Sequence, residues 1–552
     1  MLKKIILASL VVVFTLGAAA GCAPQKPAEQ PKPAETPAPP PPAKKEMVLT
    51  VNIGTEPQHT DPNKATGVPD NTLTLHCFEG LTRLNGNEVI PGVAEKWEIT
   101  ENATKYVFTL RQNAKWSNGD PVTANDFVFS WKRALDPATK SEYAYQLYYV
   151  KGAEAFNTGA AKTADGVGVK AVDAHTLEVT LEAPCHYFLY MTAFPTYYPL
   201  NEKVVKADNE GWSTKPETYV GNGPMKLVKW DHKSKFELVP NENYWNRASV
   251  KLDKLVLTMV EELSTELTMF EAGQLDVTND VAESEIPRVR TTPHWHPVPN
   301  LGTYYYLFSV TKKPVDNLKV RQALTLAIDR KTIVDKILNN AGFVPAMAWV
   351  PPGYADASNG GKDFRDKTPG YFSEYDPDAA KKLLAEAGYP DGKGFPKLEI
   401  IYNTNDRHKK IAEAIQAMWK KNLNIDVTLA NQEWGVYLDN RTKLNYQVAR
   451  AGWIADYYDP MTFIDMWTST SGNNDTGWKS KKFDDIISKA KKTADNAERF
   501  KLMHEAEDLM MADQIVCPIY YYVEPKMVRN TLKGARWSSL SLHDYAFATI
   551  EK

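Results

Sequence analysis

The sequence has little cysteine, almost no net charge and only one long hydrophobic run. Its 552 residues include four cysteines, and 65 basic residues nearly balance 68 acidic ones. This balance gives no reason to expect nucleic acid or an anionic membrane surface as a partner of the folded body. Cys77, Cys185 and Cys517 each lie among apolar or aromatic residues, so we expect three buried thiols, with one disulfide as the alternative.

The sequence also lacks the cysteine and histidine motifs that are typical of metal sites. The sequence contains no CxxC or HExxH motif, and His504-Glu505 has no second histidine four residues after the first. We therefore expect no metal and no cofactor. An exported peptidase, which needs a nucleophile with a base or a metal pair, remains an alternative for which the sequence offers no catalytic set.

The chain is long and apolar enough to form several packed domains. Hydrophobic residues make up 43% and aromatic residues 11% of the sequence. At about 150 residues per domain, the length favours two to four domains. Alternating polar and apolar residues in "KYVFTLR" (105–111) and "AHTLEVTLEAP" (174–184) predict strands in the first half, and alternating helices and strands follow from about residue 300.

The N-terminus has the order of a secretory signal. Lys3 and Lys4 precede an apolar stretch from Ile5 to Ala20, and "AAGC" (19–22) resembles a bacterial lipobox whose Cys22 becomes the lipidated first residue. We predict a lipoprotein signal peptide over 1–22 and a Pro-rich tether over 23–46, which reaches up to about 70 Å when extended. An ordinary signal peptide with an incidental Cys22 is the alternative. The lipid anchor would hold an extracytoplasmic body at the cell membrane.

Residues 397–451 predict a βαβαβ unit. "KLEIIYNT", "NIDVTLAN" and "NYQVARAG" read as strands, and "HKKIAEAIQAMWKKNL" and "QEWGVYLDNRT" read as the helices between them. Such a unit forms a parallel sheet, in which ligands bind beyond the carboxyl ends of the strands. Asp456 follows such an end in "VARAGWIADYYDP" (448–460), among apolar and aromatic residues that make a carboxylate costly to desolvate. A ligand's cation would compensate that cost, whereas a capping or turn role is the alternative.

Nearly everything after the tether resembles the periplasmic oligopeptide-binding proteins of ABC transporters, the extracytoplasmic solute-binding protein family 5. The resemblance rests on long, nearly continuous segments: "FTLRQNAKWSNGDPVTANDFVFSWKRALDP", "GVKAVDAHTLEVTLEAP", "YYYLFSVTKKPVDNLKVRQALTLAIDR", "YNTNDRHKKIAEAIQAMWKKNL", "NQEW" and "VARAGWIADYYDP". It implies a substrate-binding lipoprotein that captures oligopeptides and delivers them to a membrane permease. The body would act as a monomer and would not be an enzyme.

The fold that this resemblance implies is an α/β, two-lobed clam of the type II periplasmic-binding-protein kind with an additional third domain. A hinge of two crossing strands would join the lobes, and the peptide would lie enclosed between them. The implied division is lobe I over 47–78, 203–301 and 523–552, an extra domain II over 79–202, and lobe III over 302–522.

The resemblance also implies which residues contact the ligand. Asp456 would bind the α-ammonium, main-chain groups around Val68 and Gly452 would flank the peptide as neighbouring strands, and cations would meet its carboxylate. Trp434, Trp453 and Tyr522 match pocket-lining aromatics, with core packing as the alternative, and His408 could instead be a solvated helix residue. The complete set is Val68, Tyr305, His408, Trp434, Arg441, Arg450, Gly452, Trp453, Asp456 and Tyr522.

The sequence departs from the enterobacterial members of that family at two pairs of positions. Gly302 and Ile454 replace two cysteines, so the inter-strand bridge that these cysteines form in the enterobacterial members is absent from this sequence. Leu307 and Thr66 replace acids, so we expect one pocket to be less acidic and less favourable for lysine side chains than in those members. A receptor for another solute in the family, such as a dipeptide, a cell-wall peptide, a nickel complex or a sugar, remains the alternative, although an acid at Asp456 favours a ligand with a free amino terminus.

Overall fold

The computed structural model describes residues 46–551. The predicted signal peptide with Cys22, and all but the last residue of the tether predicted over 23–46, therefore lie outside the described residues. Strands occupy β1 (Val48–Asn52), β2 (Thr82–Asn85), β3 (Glu88–Pro91), β4 (Ala94–Thr100), β5 (Lys105–Leu110), β6 (Val169–Asp173), β7 (Thr176–Thr180), β8 (Met225–Asp231), β9 (Lys235–Pro240), β10 (Lys254–Thr258), β11 (Trp295–Phe308), β12 (Val344–Pro345), β13 (Ala355–Asp356), β14 (Lys362–Asp363), β15 (Leu398–Asn403), β16 (Val427–Gln432), β17 (Val448–Ile454), β18 (Val516–Met527), β19 (Leu532–Lys533) and β20 (Thr549–Ile550).

Helices lie mainly in the second half of the chain. They are α1 (Val68–Cys77), α2 (Ala124–Leu135), α3 (Ala153–Asn157), α4 (Phe188–Met191), α5 (Glu202–Ala207), α6 (Leu263–Glu271), α7 (Ile286–Val289), α8 (Leu318–Leu326), α9 (Arg330–Thr332), α10 (Phe364–Lys367), α11 (Pro377–Glu386), α12 (Asp406–Leu423), α13 (Trp434–Thr442), α14 (Met461–Ile464), α15 (Lys481–Lys492) and α16 (Asn496–Ala512). Among residues 46–551, no helix is long and apolar enough to cross a membrane.

Three sheets organise the described chain. The first has the order β1-β10-β9-β8, the second is the antiparallel sheet β4-β5-β7-β6, and the third has the order β12-β18-β11-β17-β15-β16. The first two sheets lie within the segments predicted for lobe I and domain II. The third occupies the segment predicted for lobe III, and the division into lobes itself remains a prediction.

The predicted βαβαβ unit is confirmed. β15 pairs in parallel with β16 on one side and with β17 on the other. Its first helix, α12, turns Ile411, Ile415 and Trp419 into the core because these residues recur at helical spacing. The carboxyl ends of β15 and β17 therefore lie side by side, as the sequence predicts.

Two long strands connect the first and third sheets. β11 and β18 are antiparallel partners from Trp295↔Met527 to Leu307↔Val516, with a register shift between Pro299 and Thr303. The chain thus enters the third sheet along β11 and leaves it along β18. They are the candidates for the two crossing hinge strands that the resemblance implies, and the hinge itself stays a prediction.

The hydrophobic core is continuous across residue 302, the predicted start of lobe III. Phe270 and Leu275, from the segment predicted for lobe I, share one hydrophobic core with Tyr306 and Phe308 of β11. Residues from Glu46 onward form one compact unit. Cys77, Cys185 and Cys517 are free and buried, which confirms the prediction of three thiols.

Candidate functional site

A cleft beyond the carboxyl ends of β15 and β17 consists of two connected chambers. We call the first, of about 210 Å³, the acid chamber, because Glu142, Asp456 and Asp475 line it. The second, of about 250 Å³, is the hinge chamber, lined by Glu524, Lys526 and His543. Both chambers share a wall formed by Val68, Pro69, Trp434, Arg450, Ile454, Tyr522 and Ser541, so they are two parts of one cleft.

Asp456 lies at the end of the acid chamber and is 6% exposed. Tyr143 donates its hydroxyl hydrogen to Oδ1 at 3.0 Å, and Gln146 donates from Nε2 to Oδ2 at 2.8 Å. Within residues 46–551 no basic side chain pairs with this carboxylate. Burial raises the pKa of Asp456 well above its ordinary value, and the nearby Asp465 acts in the same direction.

Tyr143 and Gln146 come from the segment predicted for domain II, and sequence reasoning missed them. They lie 313 and 310 residues before Asp456 in the chain. Gln146 belongs to a short helical turn, Ala144–Tyr149, whose six residues are all buried. Nothing in one sequence links this aromatic-rich turn to "WIADYY".

Arg450 stands between the two chambers. Its Nη2 donates to the hydroxyl of Tyr522 at 2.8 Å, its Nη1 lies 3.3 Å from Asn403 Oδ1, and its guanidinium covers the Tyr304 ring at 4.6 Å. It forms no ion pair with a carboxylate in the part of the chain that the structure describes. Arg450 is therefore a cation within the cleft that is free to meet an anionic group of a ligand.

The other predicted cations are less available. Arg441 lines the acid chamber, where its Nη2 pairs with Asp475 Oδ2 at 2.7 Å. His408 lines the hinge chamber, but burial, followed by the charges of Arg450 and Arg407, lowers its pKa well below the ordinary value. His408 is consequently neutral in the empty protein and offers a hydrogen bond in place of a charge.

Of the predicted aromatic residues, three line the cleft and one does not. Trp453 lines the acid chamber and donates from Nε1 to Thr462 O at 2.9 Å, while Trp434 and Tyr522 line both chambers. Tyr305 is fully buried, with its ring 4.6 Å from that of Trp349. Because side chains alternate along β11, Tyr305 faces the core, and the structure places it away from both chambers.

The segments around Val68 and Gly452 adopt different structures. Val68 lines both chambers, but it is the first residue of α1, with Pro69 in the first turn, so the expected strand at this position is wrong. Gly452 lies in β17, as expected. β17 pairs with β11 through Ile454 but with β15 only at Val448 and Ala449, which leaves one edge of residues 450–454 without a neighbouring strand among residues 46–551.

The departures from the enterobacterial members also have defined positions. Gly302 and Ile454 are direct partners across β11 and β17. Thr66 lines the acid chamber, whereas Leu307 is fully buried and does not line it. Glu142 and Asp475 add carboxylates that sequence reasoning did not consider. Among residues 46–551, no group of three or more metal-ligating side chains is positioned to hold an ion.

The chain matches one protein family and several well-characterised relatives. Residues 88–475 match the model described as "Bacterial extracellular solute-binding proteins, family 5 Middle". The oligopeptide-binding protein OppA of Bacillus subtilis is 41% identical over 503 residues, which cover 89% of this chain and 90% of the relative. The dipeptide-binding protein DppE of the same organism is 39% identical and covers 89% of each chain.

Solved structures of similar proteins share the fold. Haemophilus influenzae OppA in complex with RPPGFSPFR has a TM-score of 0.85 at 34% identity, and covers 92% of this chain and 100% of its own. The murein tripeptide-binding protein MppA of Escherichia coli has a TM-score of 0.86 at 34% identity over 92% and 99% of the two chains. Against the unliganded open form of MppA, with 92% and 98% covered at 34% identity, the TM-score is 0.58.

Proposed function

The chain belongs to the bacterial extracellular solute-binding proteins of family 5, and on this premise we propose that it binds oligopeptides between two lobes and delivers them to an ABC importer permease. The fold is the α/β clam of that family, with TM-scores of 0.85 and 0.86 to structures of peptide-binding relatives. In the proposal the protein binds and releases peptides without cleaving them.

The observation that carries this proposal is the environment of Asp456. A buried carboxylate held only by neutral donors lacks a counter-ion, and every unblocked peptide supplies one in its α-ammonium. A charge-assisted hydrogen bond between the two groups offsets the cost of desolvating the acid. The contact depends on no side chain of the peptide, so it suits a receptor for many sequences.

Main-chain contacts would hold the rest of the peptide. The free edge of β17 over 450–454 offers backbone N–H and C=O groups to an added strand, as in other receptors that bind peptides by strand addition. Arg450 then meets the carboxylate of a short peptide. The cleft continues past Arg450 into the hinge chamber, which gives room for longer peptides whose chain passes Arg450.

The first test is Asp456→Asn, which keeps the side-chain shape but removes the charge. Truncating one partner of a buried charge pair costs about 2–5 kcal/mol, so free peptides should bind at least about tenfold more weakly. Calorimetry with peptides recovered intact from the purified protein, identified by native mass spectrometry, measures the change.

N-acetylated peptides provide the control for this test. They lack the α-ammonium and should bind the parent and Asp456→Asn about equally weakly. If the parent binds an acetylated peptide as tightly as the free one, the role proposed for Asp456 is wrong. Cleaved peptides in the bound fraction would contradict binding without catalysis.

We also propose that a lipid on Cys22 anchors the protein to the cell membrane. The lipobox-like "AAGC" and the Pro-rich segment that follows it support this proposal. Cys22→Ser should give a folded protein that is released or left unprocessed, as measured by partitioning into detergent. Partitioning equal to that of the parent would contradict the anchor.

A further inference from the structure

The acid chamber contains one carboxylate more than a peptide's two termini can balance. Its charged lining groups are Glu142, Arg441, Arg450, Asp456 and Asp475. Arg441 and Asp475 already neutralise each other at 2.7 Å. In the proposed function, on which this inference rests, Asp456 receives the α-ammonium and Arg450 receives the carboxylate. Glu142 is then left without a counter-ion.

Glu142 has no partner of its own within the described residues. Its carboxylate forms neither an ion pair nor a hydrogen bond with any side chain or backbone group of residues 46–551. Burial raises its pKa to about 7 and the negative charge of Asp475 adds to this effect, whereas the positive charge of Arg441 acts in the opposite direction. Because Arg441 is paired with Asp475, a cation of the ligand would favour the ionised form of Glu142.

The backbone at Glu142 is fixed where the segment predicted for domain II meets that for lobe III. Gly472 packs directly on it, since a Cβ at Gly472 would lie 2.6 Å from Glu142 Cα. The next residue, Tyr143, donates to Asp456. Glu142 is thus held at a definite position in the chamber, next to the residue that supports the α-ammonium site.

Asn71 provides a second, independent indication of a ligand donor in this chamber. It lines the acid chamber, is 6% exposed, and its Oδ1 is buried without a hydrogen-bond partner. A buried acceptor left unpaired is costly, so a bound group with several N–H donors would stabilise it. Ammonium and guanidinium groups have three and five such donors.

We propose that Glu142, assisted by Asn71, receives a positively charged side chain of the bound peptide and so makes the protein prefer peptides with lysine or arginine near the amino terminus. The cation neutralises the remaining carboxylate of the chamber. The same cation brings N–H donors into the chamber that Asn71 lines with its unpaired acceptor. Glu142 is therefore a specificity residue, whereas Asp456 serves every unblocked peptide.

A matched peptide series tests this proposal. Tetrapeptides carry lysine or norleucine, which lacks only the ammonium group, at the first, second or third position. By calorimetry, the parent should bind the lysine peptide at least about tenfold more tightly than the norleucine peptide at one of these positions, as expected for a partly buried ion pair. Glu142→Gln should reduce that ratio towards one and leave norleucine peptides bound as tightly as by the parent.

Glu154→Gln is the control variant, because Glu154 is an exposed glutamate in the same predicted domain. It should keep the preference of the parent for lysine. The proposal is overturned if the parent prefers lysine at none of the three positions, or if the preference survives in Glu142→Gln. Neither result contradicts the proposed function if norleucine peptides with a free amino terminus still bind more tightly than the same peptides after N-acetylation. If no free peptide binds the parent, both proposals fail.

Discussion

At the scale of single residues, Asp456 combines burial with partners that carry no charge. Tyr143 and Gln146 satisfy its oxygens, yet neither neutralises it. Because burial raises its pKa, the folded protein binds this proton more tightly than the unfolded chain does. The contribution of Asp456 to stability is therefore present at low pH and is lost as the pH rises from the ordinary carboxyl range through the raised pKa.

Asp456→Asn should remove this loss of stability in the peptide-free protein. The new amide nitrogen can donate to Gln146 Oε1, which is buried without a partner. The melting temperature of the variant should accordingly exceed that of the parent at pH 8, and the two should converge near pH 4. Scanning calorimetry on peptide-free samples measures both values.

Asp378→Asn is the matched control, because the side chain of Asp378 is 93% exposed. Its melting temperature should follow that of the parent at each pH. A stability difference between Asp456→Asn and the parent that stays constant from pH 4 to pH 8 would contradict the raised pKa.

Sequence reasoning identified Asp456 through a contiguous segment, but it could not identify the residues that complete the chamber. Tyr143 and Glu142 reach the site only through the packing of a segment more than 300 residues away. The candidate Tyr305 lines neither chamber, because the whole run "YYY" (304–306) is buried in β11, and burial on both faces of a strand cannot be read from the run itself. The charge state of His408 likewise depends on its burial, which composition does not reveal.

At the scale of elements, the floor of the cleft is built around the ring of Tyr522 on β18. A Cβ at Gly302 would lie 2.8 Å from Tyr522 Cδ2, and a Cβ at Gly452 would collide with the Tyr522 hydroxyl. Two glycines on adjacent strands thus make room for one aromatic ring. The hydroxyl oxygen of Tyr522 in turn accepts the hydrogen bond that positions Arg450.

Gly452→Ala should displace Tyr522 and disturb Arg450. Overpacking of this kind costs about 1–3 kcal/mol of stability, and the altered chamber should weaken peptide binding about tenfold. In a Tyr522→Ala background the added methyl has no hydroxyl to meet, so the cost of Gly452→Ala should largely vanish. The double-mutant cycle consists of the parent, Gly452→Ala, Tyr522→Ala and the double variant. Urea unfolding measures their stability, and calorimetry measures their affinity for peptide.

Gly435→Ala serves as the control, because it lies beside Trp434 in α13 with only Glu433 Oε2 at 3.4 Å from its ideal Cβ. It should leave peptide affinity unchanged and stabilise the helix by up to about 1 kcal/mol. Additive effects of Gly452→Ala and Tyr522→Ala would show that the two residues do not interact.

The sequence predicts the elements of lobe III well wherever caps and periodicity agree. α11 begins after Asp376, whose side chain accepts from Ala379 N, and Gly388 follows its end with φ of +97°. The apolar spacing of "KVRQALTLAIDRKTIVDKIL" (319–338) predicts one helix. The structure interrupts it, because Asp329 caps a new turn at Arg330 and a π-helical stretch follows at Ile333–Ile337. Such a break depends on local capping that hydrophobic periodicity does not detect.

At the scale of the whole molecule, the segments predicted for domain II and lobe III meet over the acid chamber. Tyr187 and Tyr457 stack with ring centroids 4.9 Å apart, and Tyr149 donates to Asp465 at 3.2 Å. The TM-score to the unliganded open form of MppA is 0.58, against 0.85 for the peptide complex of OppA. The structure is thus more similar to the peptide complex of OppA than to the open form of MppA.

In a closed cleft without peptide, Asp456 is buried and has no counter-ion. Opening would return its carboxylate to solvent, so the peptide-free protein should favour the open arrangement and peptide should favour the closed one. The radius of gyration measured by small-angle X-ray scattering should decrease when peptide is added to protein shown to be peptide-free. An unchanged radius at saturating peptide would contradict this mechanism.

Asp456→Asn separates the effect of charge from other causes of closure. Removing the buried charge lowers the cost of the closed empty state, so the peptide-free variant should have a smaller radius of gyration than the peptide-free parent. Adding peptide should then compact the variant less than the parent, even at concentrations that saturate it. A ligand shifts the equilibrium only by its differential affinity for the two states, and the variant has lost the contact that exists only in the closed one. If the peptide-free variant and parent have equal radii, the uncompensated acid is not what keeps the empty cleft open.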